Sequence, residues 1–131
     1  MEENFKFEII SPEKIIFSEN VTMATLPSYE GDMSVLKNHI SIITFLRPGV
    51  IKIKKKGENQ EEFFVQEGTV EYFNESLVVL STSAIDVKNI SKDFLEKLKT
   101  NTQNKLEEKD ITDHDRYILS HKLDVIKEIR V

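Results

Sequence analysis

The chain has 131 residues, of which 31% are charged, and a formal net charge of −5 at pH 7. This length predicts one domain, or one domain with a small appendage. The acidic balance argues against nucleic acid as a partner, since phosphate neutralisation needs a basic face. The absence of cysteine excludes disulfides, thiol catalysis and cysteine-ligated zinc. No run approaches the roughly 20 apolar residues of a membrane-spanning helix, so we expect no direct membrane insertion.

The first part of the chain alternates short apolar runs with turns. Residues 5–10 alternate between apolar and charged side chains, which predicts a half-buried strand. We then expect a turn at 18–20 and a third strand over 21–25. Pro27 is expected to end that strand, because proline donates no ladder hydrogen bond.

The next stretch contains two predicted turns. Tyr29-Glu30-Gly31-Asp32 predicts an exposed tip, because Gly tolerates positive φ and Asp bonds its own backbone in turns. Arg47-Pro48-Gly49 predicts a second turn. After it, Ile51 and Ile53 alternate with lysines, so we expect both on one buried face. With His39 between the turns, this stretch indicates an interaction surface and not a catalytic one.

Further strands are predicted at 62–66, 69–73 and 77–80. The last is a continuous run of apolar β-formers, which is typical of a strand buried on both faces. At least eight short strands at regular spacing, with no helical period before residue 90, indicate an all-β sandwich or barrel.

The apolar period changes after Ile85 to that of helices. Ser91 is a candidate N-cap for a first helix, and Thr112 begins a capping box for a second. Two amphipathic helices joined by a short polar break predict an antiparallel hairpin. We therefore divide the chain into a β-sandwich domain at 1–86 and a C-terminal helical hairpin at 87–131. Because the first helix is largely polar, we expect the hairpin to be the mobile part.

Five motifs in order resemble the ε subunit of F-type ATP synthases: IISPEKIIFSENV, LPSYEGDMSVLKNH, LRPGVIKI, FFVQEGTVEY and LVVLSTSAID. Together they cover most of residues 7–86. The resemblance implies a sandwich of two five-stranded sheets followed by an antiparallel α-helical hairpin. It also implies a non-catalytic rotor subunit in the central stalk of a proton-translocating ATP synthase, coupling the γ subunit to the membrane c ring.

The same resemblance implies which residues contact the c ring: Glu30, Gly31, Asp32 and His39. Three nearby positions depart from the family pattern of two glycines and a proline: Ser34, Asn38 and Lys37. Without the resemblance, the alternative interpretation of Glu30 and Asp32 is that they are ordinary solvated turn residues, and that of His39 is a partly buried polar group near the turn.

Some members of the family bind ATP at the sandwich–hairpin junction, through Ile or Leu, Asp, two variable residues, Arg and Ala. Here Ile85 and Asp86 match this nucleotide-binding pattern, whereas Asn89 and Ile90 replace the arginine and the alanine. Without the guanidinium, this position offers no bidentate clamp for phosphate. We therefore expect no nucleotide and no other cofactor.

The sequence shows no Gly-rich phosphate loop, no nucleophile elbow and no Ser/His/Asp constellation, so we expect no catalytic residue. His114 and His121 are seven residues apart, about 10 Å along one helix, which is too far for one metal. The alternative to a rotor subunit is a free-standing β-sandwich protein-binding module that dimerises through its helical tail.

In the family, the hairpin can extend toward the α/β catalytic head and inhibit ATP hydrolysis. Here the basic residues of the second helix are offset by acidic ones, which weakens the electrostatic case for that contact. The N-terminus shows neither a signal peptide nor a transit sequence. We therefore expect a bacterial protein, peripheral to the cytoplasmic face of the inner membrane and held there by its partners.

Overall fold

The computed structural model describes residues 3–57 and 59–129. Within this part of the chain, ten strands precede one 3-10 turn and two α-helices. The strands are β1 Phe5–Ile10, β2 Ile15–Val21, β3 Met23–Ser28, β4 Gly31–Val35, β5 Ile42–Leu46, β6 Gly49–Lys54, β7 Gln60–Val65, β8 Gly68–Phe73, β9 Ser76–Leu80 and β10 Ile85–Asp86. The 3-10 turn Val87–Asn89 leads into α1 Lys92–Leu106 and α2 Asp113–Glu128.

The ten strands form two five-stranded sheets, as the resemblance implies. The first sheet has the order β10-β7-β6-β3-β4, and the second has the order β5-β8-β9-β1-β2. They are joined by one antiparallel bridge between Ser28 of β3 and Leu46 of β5. β1 and β9 pair in parallel, while the other pairs formed by the described strands are antiparallel.

The core lies between the two sheets and is built from the inward faces of alternating strands. As predicted, Phe5, Phe7 and Ile9 of β1 point inward, and Ile51 and Ile53 of β6 are buried on one face. Three aromatic rings cross the layer between the sheets. Phe17 lies 5.7 Å from Phe7 and 5.6 Å from Phe63, measured between ring centroids. Such tilted and edge-to-face pairs add to the free energy gained by burial alone.

Two predicted strand limits are wrong. Residues 18–20 lie inside β2 and do not form a turn, because β2 is an edge strand whose polar side chains face solvent. Pro27 does not end β3, which continues to Ser28. Its nitrogen needs no ladder partner, because β6 pairs with β3 only as far as Thr25 and β5 pairs only at Ser28.

The strand predicted over 77–80, β9, is covered on one face only. Leu77 and Val79 are buried in the core, whereas Leu80 points away from it and is 51% exposed. The strand that is buried on both faces is β7. Its Phe64 points outward from the first sheet but has no exposed surface, because the hairpin covers it.

The two helices form an antiparallel hairpin against the outer face of the first sheet. The predicted caps are present: the Ser91 hydroxyl accepts from the N–H of Phe94 at 3.0 Å, and Thr112 accepts from that of Asp115 at 3.1 Å. A second apolar cluster joins the helices to the sheet through four buried residues: Phe64, Ile90, Leu95 and Ile126. The expected mobility of the hairpin stays a prediction.

The boundary predicted between residues 86 and 87 falls where β10 ends and the 3-10 turn begins. Among the helices of the described chain, none is both long enough and apolar enough to cross a membrane.

Candidate interaction surfaces

The tip, as we call the segment Tyr29–Asp32, is a tight turn between β3 and β4. Ser28 pairs with Gly31, so only two residues form the loop. Gly31 has a φ of 123°, a conformation that side chains disfavour. The Ser28 hydroxyl donates to the Gly31 carbonyl oxygen at 2.6 Å. These local contacts restrain the turn, which presents Glu30 and Asp32 to solvent.

His39 lies beyond the opposite end of β4 from the tip. The tip already includes the first two residues of β4, and the four steps from Gly31 to Val35 alone span about 14 Å. The imidazole packs edge-on against Tyr72, with ring centroids 5.9 Å apart, and the Tyr72 hydroxyl donates to the Lys37 carbonyl oxygen. The structure therefore brings Glu30, Gly31 and Asp32 together but separates them from His39, because the pattern that contains all four extends along a whole strand. Their contact with a ring stays a prediction.

The apolar face, as we call it, is a row of side chains across the outer side of the second sheet. Cross-strand register aligns one residue from each strand: Phe45, Thr69, Leu80, Ile10 and Ile15. Phe45 is 58% exposed and Ile15 is 59% exposed. Ile43, also exposed, extends this face into the next row. Exposed apolar patches of this kind mark protein interaction sites.

Sequence reasoning missed the apolar face because it interpreted the second side of β9 as buried. The available signal was the run Leu77 to Leu80, which is apolar on both sides. The hairpin covers only the first sheet, so this side of the second sheet lies open in the chain.

Acidic side chains border the apolar face. Glu71 pairs across the ladder with Ile43 and Val78, and Glu8 follows Val78 on the next strand. The Lys6 ammonium lies 3.9 Å from the Glu8 carboxylate. A complementary partner therefore needs apolar side chains with a basic group at the edge.

A network of hydrogen bonds around Glu67 lies at one end of the apolar face. The Glu67 Oε1 atom accepts from the Thr82 N–H at 2.9 Å, the Thr82 hydroxyl at 2.7 Å and the Ser83 hydroxyl at 3.1 Å. The Ser81 hydroxyl donates to the Glu67 carbonyl oxygen at 2.7 Å. Burial alone would raise the pKa of Glu67, but the hydrogen bonds from these three residues lower it below its usual value. This network connects the β7–β8 turn to the segment after Leu80.

At the junction of sandwich and hairpin, Asp86 has a structural role. Its carboxylate caps the 3-10 turn by accepting from the Lys88 N–H at 2.9 Å. Ile85 packs beside the second apolar cluster, and Ile90 is buried in it, while Asn89 is exposed. The side chains in place of the family's arginine and alanine therefore offer no cation for phosphate. That this chain binds no nucleotide stays a prediction.

A half-open cleft of about 560 Å³ separates α2 from the β5–β6 turn. Its charged and polar lining carries both signs: Asp32, Glu62, Asp124, Glu128, Arg47, Lys52 and His121. This mixture is unlike the basic lining that a polyphosphate needs. In the described residues, no three His, Cys, Asp or Glu side chains are grouped to hold a metal ion.

Two comparisons identify the family. The family model for the ATP synthase Delta/Epsilon chain, β-sandwich domain, matches residues 4–87, more than half of the chain. The ATP synthase epsilon chain of Pelagibacter ubique (strain HTCC1062) is 43% identical over 130 residues, which are 98% of this chain and 99% of that relative. The chain belongs to the ATP synthase epsilon chain family. The resemblance noted in its motifs is thereby confirmed.

A second epsilon chain, from Parvibaculum lavamentivorans, is 31% identical over 134 residues, covering 99% of this chain and 98% of that one. Two solved structures share the fold. A chain in the Euglena gracilis mitochondrial ATP synthase, solved as OSCP/F1/c-ring, has a TM-score of 0.75 at 18% identity and covers 95% of this chain and 78% of its own. One from the Tetrahymena thermophila central stalk/c-ring has a TM-score of 0.65 at 14% identity, covering 97% and 96%.

Proposed function

We propose that this epsilon chain is a non-catalytic rotor subunit that couples the γ subunit to the c ring in a bacterial F-type ATP synthase. Its family supports a place in that complex. The neighbours in fold come from assemblies that contain a central stalk or a c ring. We further propose a position on the cytoplasmic side of the inner membrane, where its partners hold it.

The observation that carries this proposal is the apolar face. Five large apolar side chains on one side of a sheet are uncovered by the chain's own hairpin: Ile10, Ile15, Ile43, Phe45 and Leu80. Burying such side chains stabilises an association by about 25 cal/mol per Å² of apolar surface before the costs of binding. We assign this face to the γ subunit, with Phe45 as the aromatic anchor.

The tip supports the second contact of the rotor. It presents the carboxylates of Glu30 and Asp32 on a short turn that one strand pairing and one side-chain hydrogen bond restrain. Carboxylates form charge-assisted hydrogen bonds with basic groups and with backbone N–H groups. We assign the tip to the c ring, and leave His39 out of that contact because it lies at the other end of β4.

The alternative, a free-standing module that dimerises through its helical tail, is less well supported by the packing. The apolar residues of the hairpin are already engaged with Phe64 and Val50 of the first sheet. Of the nine large apolar side chains that are exposed in the described residues, eight lie on the sandwich and one, Tyr117, lies on the tail.

The γ contact can be tested with the double variant Phe45→Ser/Leu80→Ser. Each change removes an exposed apolar group, so the sandwich should keep its melting temperature while γ binding weakens at least about tenfold. Isothermal titration of purified γ subunit measures the affinity. Ile40→Ser is the matched control, because Ile40 is exposed in the loop after β4 and lies off the apolar face. Unchanged affinity of the double variant would refute the assignment.

A further inference from the structure

Tyr29 belongs to the tip, and its side chain contacts the hairpin. Tyr29 is the first residue of the β3–β4 turn. Its ring centroid lies 6.2 Å from that of His114, in the first turn of α2, with the ring planes 35° apart. Tyr29 keeps 40% of its surface exposed, so a partner bound at the tip can still reach it.

A second contact lies one turn further along α2. The Arg47 guanidinium donates to the Tyr117 hydroxyl at 3.0 Å. Arg47 follows β5, and its N–H donates to the Pro27 carbonyl oxygen at 2.9 Å, just before the tip. Tyr117 in turn stacks on His121 at 5.4 Å.

The three α2 side chains at these contacts form one stripe, since His114, Tyr117 and His121 are spaced by three and four residues. We call them the α2 stripe. The buried residues that anchor α2 lie near its other end, around Ile126. The hairpin is thus attached at two places: by apolar packing near the end of α2, and by polar and aromatic contacts beside the tip.

These contacts leave the carboxylates of the tip free. Glu30 and Asp32 are exposed while α2 is docked. A docked hairpin is therefore compatible with a ring at the tip. It also restrains Tyr29, and restraining a loop before binding lowers the entropy that the binding itself must remove.

We propose that docking of the hairpin and contact of the tip with the c ring are thermodynamically coupled through Tyr29 and the α2 stripe. The docked α2 holds the tip in the conformation that binds the ring, and the bound ring favours the docked hairpin by the same factor, since such coupling is reciprocal. This rests on the proposed ring contact.

The coupling is tested with the full-length double variant His114→Ala/Tyr117→Ala. Hydrogen exchange should become faster at residues 113–120 and also at 29–32, across the contact. Binding to a purified γ–c-ring assembly should weaken about fivefold. Arg116→Ala, exposed on the same turn of α2, is the control and should change neither quantity. Tyr29→Ala made in the tip should speed exchange in α2, because the effect must act in both directions.

The outcomes separate the two proposals. If Glu30→Ala weakens binding to the assembly and the α2 double variant does not, the coupling is wrong and the ring contact stands. If Glu30→Ala and Asp32→Ala both leave the affinity unchanged, the ring contact and the coupling fall together. Exchange at 29–32 that does not respond to the α2 double variant would also overturn the coupling.

Discussion

Glu67 shows how one exposed carboxylate can order a region. Its hydrogen bonds to Ser81, Thr82 and Ser83 connect two loops that share no strand. They lower its pKa in the folded protein although burial acts in the opposite direction. A carboxylate with a depressed pKa stabilises the fold above its unfolded pKa, and this stabilisation is lost as the pH falls through the folded value.

We therefore predict that, in Glu67→Gln, the free energy of unfolding depends less on pH at acid pH than in the wild type. In the wild-type protein, the free energy of unfolding should fall below about pH 4.5 partly through protonation of Glu67. The variant should be less stable at pH 7 and should approach the wild type near pH 3. Urea unfolding across this range measures the difference. Glu71→Gln, on the exposed side of the second sheet, is the control for the loss of one negative charge. A pH profile of Glu67→Gln that is parallel to that of the wild type would contradict the prediction.

Lys122 is a single unfavourable residue in the hairpin. It interrupts the apolar stripe of α2 and is half-buried. Burial lowers its pKa, and the charge of Lys105 lowers it further. The charged form is thus disfavoured in the folded hairpin, and this penalty is present at neutral pH. It is relieved as the pH rises through the folded pKa toward the unfolded value.

Replacing Lys122 by Met should tighten the hairpin. We expect exchange in α2 to slow by an amount equal to about 0.5–1 kcal/mol, and the gain over the wild type to shrink above about pH 10. The matched control is Lys127→Met, because Lys127 is exposed on the same helix. Faster hydrogen exchange in α2 of Lys122→Met than in the wild type would show that the lysine stabilises the hairpin.

At the scale of elements, alternation and capping residues were enough to predict most strands and both helices. β1 and β6 bury the residues that period two assigns to one face, and Ser91 caps where expected. The errors arose where tertiary pairing overrides local signals. Residues 18–20 read as a turn because an edge strand can be polar, and Pro27 stays in β3 because no neighbour needs its N–H.

The candidate site was predictable in part. The tip followed from turn chemistry alone, because Gly31 supplies the positive φ of the turn. The position of His39 could not be predicted from local sequence, since only the strand register shows that β4 leads away from the tip. The contacts of Tyr29 and Arg47 with α2 join residues 85 and 70 positions apart in sequence, which no local pattern specifies.

At the scale of the whole molecule, the sandwich is the middle layer of three. The hairpin covers the outer side of the first sheet, whereas the apolar face on the second sheet is exposed in the described chain. The hairpin can therefore leave without uncovering the surface assigned to γ. The hairpin and the surface assigned to γ thus lie on opposite sides of the sandwich.

Removal of residues 88–131 tests whether the hairpin inhibits ATP hydrolysis in the complex. Because the charges of α2 are balanced, we expect ATP hydrolysis by the assembled enzyme to be unchanged. The truncated sandwich must first show a strand-type circular dichroism spectrum and a cooperative thermal transition, since Phe64 loses its cover. Adding Phe64→Ser provides the matched control for that exposure. A clear rise in hydrolysis in both truncated forms would establish inhibition by the hairpin.

The Ser28–Leu46 bridge has a mechanical consequence. A twisting load that enters at the apolar face and leaves at the tip must pass from one sheet to the other. Beside the tip, the crossing consists of two backbone hydrogen bonds, from Tyr29 to Phe45 and from Arg47 to Pro27. At the far end, it is a partly buried ammonium, that of Lys55, placed between the carboxylates of Glu19 and Glu61. Besides the short turns β2–β3, β5–β6 and β7–β8, which join the two sheets covalently, resistance to shear comes from the packed aromatic rings between the sheets. Enlarging or shrinking one of these rings should therefore alter how completely rotation is transmitted, even where binding is unchanged.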